Sequence, residues 1–160
     1  MPLESTVETQ VRLLPCPEPV RRARLDDLAD AGLGFLGRGT ATEPAAAIVA
    51  RLDRAGAQLF EVRHGPRRGL FGVHPAGTNP YQAVIDVVLP GSSCVDAIRT
   101  VLAFCHSHLA LRSVLRFGQV GDGREADFDA AGLRRLGSLR GALYYDGGYH
   151  DQPVWLGEAR

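Results

Sequence analysis

Hydrophobic and polar residues follow two periods along this chain, and these periods predict an ordered succession of strands and helices. Short apolar runs bounded by Gly and Pro are typical of strands, whereas apolar residues three or four apart indicate helices. Five strands are predicted, at residues 11–14, 58–63, 69–73, 81–89 and 113–120. Three helices are predicted, at residues 20–36, from Glu43-Pro44 to Gly56, and at 93–109.

The strand at 81–89 is the strongest of these predictions. Its nearly continuous apolar run is typical of a strand that is covered on both faces. A Pro-Gly-Ser-Ser stretch then stops the strand and precedes the best helix of the chain, for which Ser92 or Ser93 is a suitable N-cap. The inner face of this helix is predicted from its apolar spacing, and it consists of Val95, Ile98, Val101, Leu102 and Cys105.

The last third of the chain predicts a short amphipathic helix, which runs into residues 131–141, and then a hairpin over residues 142–156. Asp146-Gly147 marks the turn, because a type I′ turn needs positive φ at both central residues. The predicted order is strand, helix, helix, three strands, helix, strand, helix, two strands. With no repeat and no long linker, residues 1–160 are expected to form a single domain, with residues 1–9 disordered.

Composition excludes several classes of function. The formal net charge is zero, so there is no basic field for nucleic acid, and no apolar run is long enough for a membrane span. All 18 cationic side chains are Arg, as expected from a GC-rich coding sequence. Three cysteines without a C-x-x-C pair argue against a disulfide framework or a structural zinc, and no metal site is expected. The sequence therefore predicts a cytoplasmic protein.

The element order and the tail together resemble the GNAT acyltransferase superfamily. Residues 128–137 look like the family's helix ending in Gly-Phe with a following strand, with Leu133 in the Phe place. Residues 141–151 look like the family's closing hairpin, most like the branch that acetylates protein N-termini and small amines. The resemblance implies an α/β (α+β) fold with a mixed, twisted, mostly antiparallel sheet of six to seven strands, flanked by about four helices.

The resemblance also implies a site for acetyl-CoA or another acyl-CoA. In that family the fourth and fifth strands splay apart, the pantetheine pairs with the fourth strand, and the pyrophosphate meets the N-terminus of the next helix. A splayed strand leaves N–H and C=O groups that an extended ligand can satisfy, and a helix N-terminus attracts anions. The residues carried over to this role are Val87, Val88, Leu89, Gly91, Ser92, Ser93 and Cys94.

Two carboxylates are the candidates for catalysis. Acyl transfer to an amine needs a base for the ammonium proton, and Asp86 and Glu61 would lie nearest the splay. The alternative for each is a strand position that faces solvent or an arginine. Cys94 is a candidate nucleophile, because a first-turn position lowers a thiol pKa, and the alternative is a small buried residue at the helix start.

Three departures from the family pattern leave two functions open. The loop at residues 89–94 is short and has no cation, Gly121-Asp122-Gly123 stands where the family has Asn, and Phe128 replaces a Tyr that often serves as general acid. One function is transfer of an acyl group from acyl-CoA, or from an acyl-carrier pantetheine, to an amine of a small molecule or a protein N-terminus. The alternative is a GNAT-fold protein without CoA binding, which serves as a small-molecule binding or scaffold protein or carries other chemistry in the same cleft. The aromatic hairpin is a candidate contact for a homodimer.

Overall fold

A computed structural model describes residues 10–37, 43–119 and 122–159, and it contains the elements in the predicted order. Residues 1–9, which are predicted to be disordered, lie outside the described residues. The strands are β1 Val11–Pro15, β2 Gln58–His64, β3 Arg67–Pro75, β4 Gln82–Val88, β5 Ser113–Phe117, β6 Arg134–Tyr145 and β7 Gly148–Glu158. The helices are α1 Glu18–Asp30, α2 Ala45–Arg54, α3 Val95–Leu109 and α4 Glu125–Ala130.

The seven strands form one sheet in the order β1-β2-β3-β4-β5-β7-β6. All neighbours are antiparallel except β4 and β5, which are parallel. This arrangement confirms the mixed, mostly antiparallel sheet with four helices. Within the described ranges, no helix is long and apolar enough to cross a membrane.

Two hydrophobic clusters cover the two faces of the sheet. One contains α3 and Phe128 of α4, and the other contains the buried residues of α1 and α2. β4 lies between them, so that Ile85 belongs to the first cluster and Val84 to the second. This position explains the continuous apolar run of β4. Four of the five residues predicted for the inner face of α3 are buried, namely Ile98, Val101, Leu102 and Cys105, whereas Val95 is half-buried.

β4 and β5 pair over only three residues and then part. The pairs are Gln82 with Ser113, Ala83 with Val114, and Val84 with Leu115. Beyond these pairs, β4 continues to Val88 and β5 to Phe117, but the two strands no longer pair with each other. The two strands therefore splay as the resemblance implied, and the cleft between them opens toward the carboxyl end of β4.

α1 ends earlier than the sequence predicts. The helical pattern extended to residue 36, but α1 stops at Asp30 and Gly32 follows with φ of +68°. The N–H of Leu33 donates to the carbonyl of Leu28, which satisfies one of the last carbonyls of the helix. The apolar residues beyond this point, Phe35 and Leu36, belong to a loop that is buried against the sheet.

The closing hairpin is longer than predicted. β6 begins at Arg134, not at residue 142, because α4 ends at Ala130 and Gly132, with φ of +99°, turns the chain directly into the sheet. Two register shifts interrupt β6, between Arg135 and Gly137 and between Leu139 and Leu143. These bulges break the alternation of polar and apolar residues, so the sequence pattern concealed the first half of the strand.

The turn of the hairpin is as predicted. Asp146 and Gly147 have φ of +50° and +74°, the positive values that a type I′ turn requires. β7 pairs with β5 only from Val154 to Glu158, whereas β6 and β7 pair up to the turn. Residues 139–152 therefore form a two-stranded extension of the sheet.

Candidate functional site

Four charged side chains fill the cleft between β4 and β5. Asp86 comes from β4, Arg116 from β5, and Asp122 and Arg124 from the segment that leads into α4. Their side chains are between 0% and 9% exposed. These four residues, called the cleft network below, carry two positive and two negative charges. Pairing of this kind offsets part of the free-energy cost of burying the four charges.

Asp86 is at the centre of the network. Its Oδ1 accepts from Nη1 of Arg124 at 2.9 Å and lies 3.6 Å from Nε of Arg116. Backbone N–H groups also donate to the carboxylate, from Leu36 at 2.8 Å and from Val87 at 2.9 Å. Both oxygens of Asp86 are therefore engaged, and two guanidinium groups neutralise the charge.

Asp122 links the two arginines. Its Oδ2 accepts from Nη2 of Arg116 and lies 3.3 Å from Nη2 of Arg124. Burial raises the pKa of Asp122, but the charges of Arg116 and Arg124 outweigh this effect, and its pKa lies below the ordinary value. Asp122 is therefore an anion at neutral pH.

Arg116 is held between two aromatic rings. Its guanidinium lies 4.2 Å from the ring centre of Phe128 and 4.7 Å from that of Trp155. Such contacts are stronger when water is excluded, and Arg116 is fully buried. Phe128, which stands where the family often has a catalytic Tyr, is thus part of the support for a buried cation.

Arg124 binds one backbone carbonyl of β4, that of Val87, at the splay. Its Nη1 donates to the carbonyl of Val87 at 2.9 Å, and its Nη2 donates to the carbonyl of Gly34 at 3.0 Å. The N–H of Val87 donates to Asp86, so both backbone groups of Val87 are engaged. A pantetheine arm that paired with Val87 would have to displace a buried ion pair.

The N-terminus of α3 is occupied by the carboxylate of Asp127. The helix begins after Cys94, whose N–H donates to Oδ2 of Asp127 at 3.0 Å. The hydroxyl of Ser93 donates to Oδ1 at 3.3 Å. The N-cap residue is Cys94, not Ser92 or Ser93 as predicted, although the hydroxyl of Ser93 accepts from the N–H of Val95, the first residue of the helix, at 3.3 Å. An acidic side chain of α4 provides the favourable negative charge instead.

The loop between β4 and α3 turns its carbonyl groups toward a cation. The guanidinium of Arg67, from β3, donates to the carbonyls of Leu89, Pro90, Ser92 and Ser93 at distances of 2.8 to 3.1 Å. A phosphate-binding loop has the opposite polarity, because its N–H groups converge on the anion. Gly91 is required here: its φ is +122°, and a Cβ would lie 2.9 Å from Nε of Arg67.

Arg67 is one of the site residues that the sequence analysis did not identify, together with Arg116, Arg124 and Asp127. The loop itself has no cation, and its own sequence does not show which arginine lies beside it. The register of the hairpin contained a signal, since Leu70 pairs with Val88 and Arg67 therefore lies beside the residues that follow β4. Only a correct strand register makes that signal visible.

Solved structures with the same architecture are acetyltransferases. An acetyltransferase (GNAT family) from Bacillus anthracis superimposes with a TM-score of 0.70 at 12% identity, over 94% of this chain and 95% of that one. Spermidine N-acetyltransferase from Vibrio cholerae, in complex with CoA and spermine, superimposes with a TM-score of 0.68 at 12% identity, over 94% and 96%. The chain has the GNAT fold. No family model and no curated protein matches its sequence.

Several groups that the resemblance assigns to CoA are engaged within this GNAT-fold chain. Each of the three groups that the resemblance assigns to CoA has a partner within the chain. Arg124 donates to the carbonyl of Val87, and Asp127 accepts from the N–H of Cys94 at the start of α3. Arg67 donates to carbonyls of the loop between β4 and α3, such as that of Leu89. The assigned residues Val88 and Leu89 are buried, whereas Gly91, Ser92 and Ser93 are exposed. The described residues contain no group of three or more His, Cys, Asp or Glu that could hold a metal ion.

The structure does not bring Glu61 and Asp86 together. Glu61 lies in β2, two strands from β4, where it pairs in register with Leu70 and through it with Val88. Its carboxylate lies 2.5 Å from Nε of Arg63 and 3.6 Å from Nη1 of Arg24. Asp86 and Glu61, the two candidate bases, are therefore both paired with arginines. A position that faces an arginine was the alternative to a catalytic role for each of them.

Cys94 does not have the properties of a nucleophile. Burial raises the pKa of its thiol, the hydrogen bond to Asp127 and the charge of Asp127 raise it further, and the result is about 12. The first-turn position predicted a lowered pKa, and that prediction is wrong because the thiol is buried and a carboxylate lies 3.2 Å from the sulfur. The structure agrees with the alternative, a small buried residue at the start of the helix.

Asp127→Ala is expected to destabilise the protein by about 0.5–1.5 kcal/mol, the usual net contribution of a hydrogen bond, because the N–H of Cys94 loses its acceptor. The pKa of Cys94 should fall, but it should stay above the ordinary value because the thiol remains buried. Urea denaturation measures the first effect, and iodoacetamide alkylation of Cys94 against pH, followed by peptide mass spectrometry, measures the second. Asp96→Ala, at an exposed first-turn position of the same helix, is the control. Equal stability and equal alkylation in the two variants would contradict the capping role of Asp127.

Proposed function

We propose that this GNAT-fold chain is a small-molecule binding or scaffold protein that does not use acyl-CoA as a substrate in the cleft between β4 and β5. The observation that carries the proposal is the Asp127 carboxylate on the N-terminus of α3. A helix N-terminus binds a pyrophosphate through free N–H groups and its positive end. Here the N–H of Cys94 and the positive end of α3 already face the carboxylate of Asp127.

Electrostatics and geometry support the same proposal. A pyrophosphate placed at α3 would meet the negative charge of Asp127, and like charges at close range repel strongly where water is partly excluded. The loop cannot compensate readily, because its carbonyls are directed toward Arg67. Admission of CoA would require both Arg124 and Asp127 to leave their present partners.

A titration with acetyl-CoA, CoA and pantetheine tests this proposal by thermal shift and calorimetry. A ligand that binds only the folded state raises the melting temperature with its concentration. We expect no saturable rise up to about 1 mM, whereas a dissociation constant below about 100 μM, near 5.5 kcal/mol, would contradict the proposal. Asp127→Asn is the matched variant, since it keeps the shape and removes the charge. Binding by the variant alone would identify the charge as the barrier.

A second candidate function is acyl transfer from acyl-CoA, or from an acyl-carrier pantetheine, to an amine of a small molecule or a protein N-terminus. The splay of β4 and β5 favours it, as does the likeness to acetyltransferases, one of them in complex with CoA and spermine. In this function Asp86 or Glu61 would act as base after release from its arginines. Release of free thiol from acetyl-CoA in the presence of spermidine or an alanyl peptide would support acyl transfer. Absence of this release would support the binding or scaffold function.

We also propose a cytoplasmic location. Cys16, Cys94 and Cys105 are free and buried, which suits a reducing compartment. The zero net charge supports small molecules or protein partners over nucleic acid.

A further inference from the structure

A cavity of about 490 Å³ lies at the end of the sheet where β4 begins, whereas the cleft lies where β4 ends. The last residues of β3, the first residues of β4 and the loop between these two strands line it. Leu109 and Leu111, at and just beyond the carboxyl end of α3, also line it. Sites for small molecules range from about 300 to 1,000 Å³. This cavity, called the β3–β4 cavity below, is therefore large enough for a ligand.

The lining of the β3–β4 cavity is partly apolar and carries no formal charge. Val73, Ala83 and Leu111 are buried and form its apolar part. Among the described residues that line it there is no Asp, Glu or Arg, although charged residues make up 22% of the chain. A charged ligand would lose hydration here without gaining an opposite charge. The lining therefore favours an uncharged ligand.

The polar side chains of the lining include three whose hydrogen-bonding roles are defined by their neighbours. Nδ1 of His74 lies 3.0 Å from the carbonyl oxygen of Pro75. Because a carbonyl only accepts, Nδ1 carries the proton, and Nε2 of the neutral ring is an acceptor. Gln82 donates from Nε2 to a hydroxyl group of β5 at 3.0 Å, which leaves its Oε1 as an acceptor. Oδ1 of Asn79 accepts from the N–H of Tyr81 at 3.0 Å, which leaves its NH₂ group as a donor.

We propose that the β3–β4 cavity binds an uncharged cyclic amide, a ring in which an N–H lies next to a carbonyl, as in a nucleobase or a lactam. The ring packs on the apolar part of the lining. Its N–H donates to His74 or Gln82, and its carbonyl accepts from Asn79. A ligand that lacked either group would exclude water from these atoms without replacing their hydrogen bonds, which costs free energy.

This inference goes beyond the proposed function, which concerns the cleft, and it does not depend on whether the cleft admits CoA. Amide chemical shifts of isotope-labelled protein test it, with uracil and δ-valerolactam as probes. We expect saturable shifts at residues 73–83 and 109–111 with at least one probe at concentrations up to about 10 mM. The probe that binds more tightly distinguishes a nucleobase from a lactam as the natural ligand. N,N′-Dimethyluracil, which lacks the N–H groups, and orotate, which adds a carboxylate, should bind more weakly than uracil.

His74→Phe tests the assigned acceptor, because phenylalanine keeps a ring and removes Nε2. This variant should bind the probes about fivefold more weakly, the effect of one hydrogen bond, with an unchanged circular dichroism spectrum. His64→Phe is the matched control, since His64 is also half-buried and lies at the end of β2 that is remote from the cavity. The control should bind the probes as the wild type does.

Absence of a saturable shift with either probe up to about 10 mM would overturn the proposal. So would equal binding of uracil, N,N′-dimethyluracil and orotate, or equal binding by the two histidine variants. Shifts confined to residues 86–88 and 122–127 would also overturn it, because they would place the ligand in the cleft. That last result would support the binding function proposed for the cleft, so the two proposals can fail separately.

Discussion

Replacing Arg124 by methionine is expected to lower the free energy of unfolding by about 3–5 kcal/mol, the range for breaking a buried ion pair. The guanidinium of Arg124 lies 2.9 Å from Asp86 and 3.3 Å from Asp122, and it donates to two backbone carbonyls. Methionine fills much of the volume but supplies no charge. It leaves a buried network with two carboxylates and one cation.

Urea denaturation of the variant measures this loss, and a double-mutant cycle assigns it. Asp86→Asn combined with Arg124→Met should cost less than the sum of the two single changes, because the second removes a charge that the first left unpaired. Arg22→Met is the control, since Arg22 and Glu18 form an exposed pair whose removal should cost less than about 1 kcal/mol. If Arg124→Met lowers the free energy of unfolding no more than the control does, the cleft network does not stabilise the fold.

The pH dependence has a definite sign. Asp122 has a folded pKa below its unfolded value, so its contribution is fully present above the unfolded pKa of about 3.9 and is lost as the pH falls through the folded pKa. The penalty of Arg124→Met should therefore be constant from neutral pH to mildly acid pH. It should shrink only at lower pH, where the wild type loses the same interaction.

Gly69→Ala is expected to destabilise the protein by about 3 kcal/mol, at the upper end of the usual cost of overpacking. A Cβ at Gly69 would lie 1.9 Å from the carbonyl oxygen of Val88 and 2.9 Å from Cα of Leu89. These atoms are backbone, so no rotation of a side chain can relieve the contact. β3 and the end of β4 would have to separate, and the loop that follows β4 would move with them.

Gly148→Ala is a matched control for this change. Gly148 is also a strand residue without positive φ, and the nearest atom to its added Cβ is 3.8 Å away. This control should change stability by less than about 1 kcal/mol, in either direction. Thermal and urea unfolding of both variants measure the difference. Equal stability of the two variants would mean that the ends of β3 and β4 can move apart at little cost, which contradicts the close packing described above.

The sequence predicted the order of the elements and the turn at Asp146-Gly147 correctly. These features depend on patterns within ten or fifteen residues, such as the apolar run of β4 and the helical spacing of α3. The end of α1 and the start of β6 were wrong where glycines with positive φ turn the chain, at Gly32 and Gly132. A glycine in a sequence does not reveal which φ it adopts.

The contents of the cleft could not be predicted in the same way. Asp86 and Arg124 are 38 residues apart, and Cys94 and Asp127 are 33 apart. Such pairs follow from strand order and register, which one sequence does not determine. The resemblance identified the fold and the splay, but it assumed that the cleft was free for a ligand. In the structure the four charged side chains of the cleft network lie there, and the carboxylate of Asp127 lies at the start of α3.

The sheet has a seam where β4 and β5 meet. Three residue pairs join the half made of β1 to β4 to the half made of β5, β7 and β6. Asp86 belongs to one half, and Arg116 belongs to the other together with the segment that carries Asp122 and Arg124. Acid, which discharges the carboxylates, should therefore leave the two halves joined at this seam mainly by the hydrophobic clusters that both halves share, such as the one that contains Val87 and Val114.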